Sequence, residues 1–85
     1  MSVPTHAPTP LALTLTLPGV PASAGIARVA VGAALRRHGM PRWLPVTRLV
    51  VTELVACAAR SGRRDDLRIE LRAEAVGLRV TTHDT

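Results

Sequence analysis

The sequence predicts an α+β protein, a two-layer α/β sandwich with two helices on one face of a mostly antiparallel sheet, in the order strand, helix, helix, strand, strand. Three observations predict it. Apolar and polar residues alternate strictly over "LALTLTL" (11–17) and again over 67–72 and 78–83; two alanine-rich stretches with helical spacing lie between; and proline or glycine marks most of the boundaries. A strand that returns through two helices to a hairpin buries both helices most simply against one face of a single sheet.

Residues 1–10, "MSVPTHAPTP", are too rich in proline and threonine to hold a regular element and read as a flexible tail, with His6 solvated. The domain then spans 11–85. Leu11, Leu13, Leu15 and Leu17 fall on one face of the first strand, and Ala12, Thr14 and Thr16 on the other. Pro18 and Gly19 end it. Pro21 is placed to open a helix, because the first turn has no use for its missing N–H. Ile26, Val29, Ala30 and Ala33 repeat at helical spacing and are the expected inward face, and the basic turn Arg36, Arg37, His38 before Gly39 signals the helix end. His38 reads as a cap rather than a catalytic group. Gly25, Gly32 and the alanines permit close packing, for which the protein's own sheet is the first candidate.

"MPRWLP" is a short connection whose Trp43 is expected to plug one edge of the core, and Pro45 starts a second helix running to about Arg60. Val46, Val50, Leu54 and Ala58 form its expected apolar stripe. Glu53, Cys57 and Ser61, four residues apart, line up beside it. After the polar turn "SGRRDD", Leu67, Ile69 and Leu71 oppose Arg68, Glu70 and Arg72; beyond a turn at 74–77, Leu78, Val80 and Thr82 oppose Arg79, Thr81 and His83. That pattern is an antiparallel hairpin with one wet face.

Composition narrows the classes of function. With one tryptophan, no phenylalanine and no tyrosine in 85 residues, the core is built from aliphatic side chains and is thin. A hydrophobic content of 47% with 20% charged residues fits a globular protein. The stretch from Val20 to Leu35 is too short for a bilayer and holds Arg28, so no membrane span is expected. Four prolines in the first eighteen residues and no basic start argue against a secretory signal. A single cysteine excludes an internal disulfide and suits a reducing cytoplasm.

The net charge of +5 is uneven: residues 1–52 hold five arginines and no acid, whereas 53–85 hold six arginines and all six acids. Such a field favours an anionic partner. Nucleic acid is the weakest candidate, because stacking aromatics and a helix-turn-helix pattern are lacking.

Site chemistry centres on Glu53. His6, His38, His83 and Cys57 lack the spacing of zinc ligands, and Cys57 has no histidine base on its helix, so it reads as a small buried hydrophobe rather than a nucleophile. Glu53 sits mid-helix among Leu49, Val50 and Cys57, where partial desolvation is expected. A carboxylate so placed is costly unless paired or used, and Arg60 and Arg48 are its candidate partners.

The helix "LVVTELVACAAR", the following "DDLRIEL" and the final "LRVTTHD" together resemble the histidine-kinase-type ATPase superfamily. The branch is that of short actinobacterial ATP-binding regulators akin to anti-sigma factor serine-protein kinases, whose second helix carries a pattern like E-L-V-x-N-A-x-x-H before a hairpin ending in D-x-G. The resemblance covers about 11–85. It implies ATP and Mg²⁺ as cofactors, a partial ATPase-type domain and a sigma factor or anti-sigma antagonist as partner. By position, Glu53 falls on the glutamate that orients the attacking group, and Asp84 on the aspartate that bonds the adenine amino group. Cys57 falls on the magnesium-binding asparagine, and Ser61 at or near a usual histidine. A thiol is a poor ligand for a hard cation. The family's further glycine-rich segments, phosphate lid and last strands have no counterpart before Thr85, which leaves a sheet edge open. The expected protein is therefore a degenerate regulator with weak or no nucleotide turnover. The alternative is a small interaction module that binds a sigma factor, an antagonist or a second copy of itself through its first strand and basic helix.

Overall fold

The computed structural model describes residues 11–62, 66–74 and 77–84. The expected tail therefore lies outside the described residues, as do the middle of the "SGRRDD" turn and the tip of the hairpin. The elements run β1 (Ala12–Pro18), α1 (Ser23–Arg37), a 3₁₀ turn (Pro41–Trp43), α2 (Leu44–Arg60), β2 (Asp66–Glu74) and β3 (Gly77–Asp84). This is the order read from the sequence.

The three strands form one antiparallel sheet in the order β1-β2-β3. Leu13 faces Leu71, Leu15 faces Ile69 and Leu17 faces Leu67 across the first pair; Val80 faces Leu71 and Thr82 faces Ile69 across the second. Leucine therefore meets leucine or isoleucine on one face throughout the first pair. That match fixes the register, because a slip of one residue would turn every apolar side chain to water.

Both helices cover this apolar face, and both are rotated from the expected phase. In α1 the buried residues are Ser23, Ala27, Val31, Gly32 and Leu35, whereas Ile26 and Val29 are 58% and 72% exposed. The expected face, continued along the helix, carries Arg37 among its members; the line Ala27, Val31, Leu35 carries no charge. Burying the second line avoids desolvating a guanidinium. Ser23 fixes the phase, since its Oγ donates to the Pro18 carbonyl at 2.7 Å and pins the start of α1 to the end of β1. The helix accordingly begins at Ser23, with Pro21 in the preceding turn rather than in the first helical turn.

In α2 the buried line is Leu44, Thr47, Val51 and Val55; the expected Val50, Leu54 and Ala58 are half-buried at its flank, and Val46 is 48% exposed. Thr47 explains the difference. Its hydroxyl donates to the Trp43 carbonyl at 2.6 Å, so a polar residue sits in the core with its hydrogen bond made.

The helix end at Gly39 is as expected. Gly39 takes φ +68°, the His38 N–H donates to Ala34 O and the Met40 N–H donates to Leu35 O at 2.8 Å, a Schellman closure with His38 as the cap residue. Trp43 is half-buried against the core and lies over the hairpin, where a Cβ on Gly77 would meet its ring at 3.6 Å. Among the described residues no helix is long and apolar enough to cross a membrane.

Candidate functional site

Glu53, Cys57 and Ser61 do share one face of α2, and all three are exposed. This corrects two expectations. Cys57 is not a buried hydrophobe, and Glu53 is not desolvated, because the rotation of α2 carries Leu49 to 63% exposure and leaves Cys57 in solvent beside it. Neither Arg60 nor Arg48 pairs with Glu53; among the described residues it makes no ion pair. Asp84 lies elsewhere, closing β3 opposite Leu67 of β2.

The donors at Glu53 and Cys57 do not fit a magnesium ion. One carboxylate and one thiol on an open helix face fall short of the oxygen shell this cation needs, and among the described residues no three His, Cys, Asp or Glu side chains gather around a common point. The cleft between α2 and β3, lined by Trp43, Val46, Thr47, Val50, Leu78 and Val80, is almost wholly apolar and measures about 130 Å³. Small-molecule sites usually run to several times that volume.

The outer face of the sheet is polar. Glu70 receives Arg68 and His83, each at 3.7 Å, and Arg79 reaches Glu74 at 2.6 Å. These pairs are largely exposed and add little stability. Arg72 stands directly opposite Arg79, a like-charge pair that the Glu74 carboxylate offsets from one side.

A concavity opens beside the start of β1. A groove of about 500 Å³ lies between this strand and α1, floored by Leu11, Leu13, Ala30 and Ala34 and closed at one end by Arg37 and His38. It follows from two local features. Alanines on this side of α1 leave no bulk between helix and strand, and the Schellman turn sets the basic end of α1 beside the start of β1. Among the described residues β1 pairs with β2 alone, so its other backbone edge has no strand partner there. The charge asymmetry and the alanine-rich run were visible in the sequence; their meeting at one strand edge was not, since it depends on the phase of α1.

Comparison with protein-family models, with curated proteins and with solved structures found no match to the chain. Fold and site together define a small two-layer α+β domain, with three antiparallel strands, two covering helices and an open strand edge beside a basic groove.

Proposed function

We propose that the protein is an interaction module that captures an extended, acidic segment of a partner protein at the open edge of β1. The groove at the start of that edge carries the reading: backbone groups without a strand partner among the described residues, alanine-lined space for side chains, and a guanidinium in its lining. A segment adding as a fourth strand gains main-chain hydrogen bonds from the edge and specificity from the groove. Arg37 and the acid-free stretch 11–52 favour an acidic segment and disfavour a second copy of this basic chain. In the setting suggested by the likeness to anti-sigma factor kinases, the partner is a sigma factor or an anti-sigma antagonist.

The test is calorimetric titration of the chain with two capped peptides, one alternating valine and glutamate and one alternating valine and lysine. Saturable binding of the glutamate peptide, weakened by salt and by Arg37→Glu, is the expected result. Equal affinity for both peptides, or no loss in Arg37→Glu, removes the proposal.

A second reading retains the nucleotide. The element order fits the start of a histidine-kinase-like ATPase domain, and the exposed Glu53 is reachable by a substrate. With a thiol at the magnesium position, we expect weak or absent binding of Mg-ATP and no phosphotransfer, and a micromolar dissociation constant would contradict that expectation.

A further inference from the structure

A second feature lies where α1 packs on α2, away from β1 and independent of the proposal above. Gly32, buried in α1, has no side chain to separate the two helices there. A Cβ built on it would lie 3.3 Å from Arg48 Nη2 and 3.7 Å from Arg36 Nη1. Two guanidinium groups from different helices therefore meet over one point of bare backbone. Two turns before, Arg28 lies near Gly25 of its own helix and donates through Nη1 to Thr52 Oγ1 at 3.1 Å, bridging α1 to α2. Thr52 in turn donates to the Arg48 backbone carbonyl at 2.7 Å, one turn earlier in α2.

Among the described residues no carboxylate pairs with Arg28, Arg36 or Arg48. Arg48 Nε is buried and has no hydrogen-bond acceptor. Converging like charges and an unsatisfied buried N–H are each unfavourable, and an oxyanion held between the arginines removes both costs. Guanidinium forks match tetrahedral oxyanions in a bidentate manner. Two guanidinium groups without a counter-charge suit a dianion better than a single carboxylate.

We propose that Arg36 and Arg48, meeting over Gly32, form a binding site for a phosphate group. The group can come from a free phosphoester or diphosphate, or from a phosphorylated side chain.

The test follows the backbone amide of Gly32 and the Nε–H signal of Arg48 by NMR. The chain is titrated at constant ionic strength with sodium pyrophosphate and, separately, with O-phosphoserine. Saturable shifts confined to these positions are expected with at least one probe, and affinity should fall about tenfold or more in Arg36→Gln and in Arg48→Gln. Gly32→Ala, which forces the Arg48 head aside, should weaken binding in the same direction, and Arg79→Gln should leave it unchanged. Tighter binding of pyrophosphate identifies a small phosphate ligand, and tighter binding of O-phosphoserine a modified side chain. Arg36 is exposed, so Arg36→Gln can be read even where Arg48→Gln disturbs folding. Shifts that grow linearly without saturation, that spread over all arginines, or that persist in Arg36→Gln overturn the proposal.

Discussion

At the residue scale, hydrogen bonds rather than hydrophobicity alone decide which side of each helix is buried. Ser23 and Thr47 are both 2% exposed, and each spends its hydroxyl on a backbone carbonyl. A reading that ranks residues by apolarity passes over both, which is why Ile26, Val29 and Val46 were expected inside. The rotation has measurable consequences. Leu35, fully buried, should cost about 2–5 kcal/mol on truncation to alanine, whereas Val29→Ala at 72% exposure should change stability by no more than about 0.5 kcal/mol. Urea denaturation of the two variants decides it, and similar losses would show that the helix faces are wrongly phased. Ser23→Ala should cost about 0.5–1.5 kcal/mol, the worth of one hydrogen bond, because the Pro18 carbonyl keeps the Val20 N–H as a donor at 2.8 Å.

The elements themselves were legible because their periods are clean. Strand alternation places Leu13, Ile69 and Val80 on the inner face, and the facing pairs in the sheet follow from it. Proline at the start of α2 and glycine after α1 mark helix limits to within a residue or two. What periodicity could not supply was the azimuth of each helix, since the alternative apolar lines differ by a single residue. Glu53 inherits that error: its expected desolvation depended on a phase that α2 does not adopt. The hairpin offers a separate test at this scale. Gly77 takes φ +102°, and a Cβ there would sit 3.6 Å from the Trp43 ring. The space is ordinary van der Waals contact, but the backbone is strained for any other residue, so Gly77→Ala should destabilise the fold by about 1–3 kcal/mol. A change below about 0.5 kcal/mol in thermal or urea unfolding would show that the hairpin can relax away from this conformation.

For the whole molecule, charge and topology act together. All acids lie from Glu53 onward and mostly on the hairpin, so the acid-free half presents its arginines on the helices and beside β1 without competition from within the chain. Among the described residues the sheet has three strands, and both its outer strands pair on one side alone. An edge without a strand partner among the described residues, the groove at its start and a positive field point to the same partner chemistry, an extended acidic segment. Hydrogen–deuterium exchange of β1, followed with and without the alternating valine and glutamate peptide, tests this most directly. Protection of amides within Ala12–Pro18, absent with the lysine peptide, is the result expected of strand capture. Unchanged exchange in β1 with protection elsewhere would contradict it.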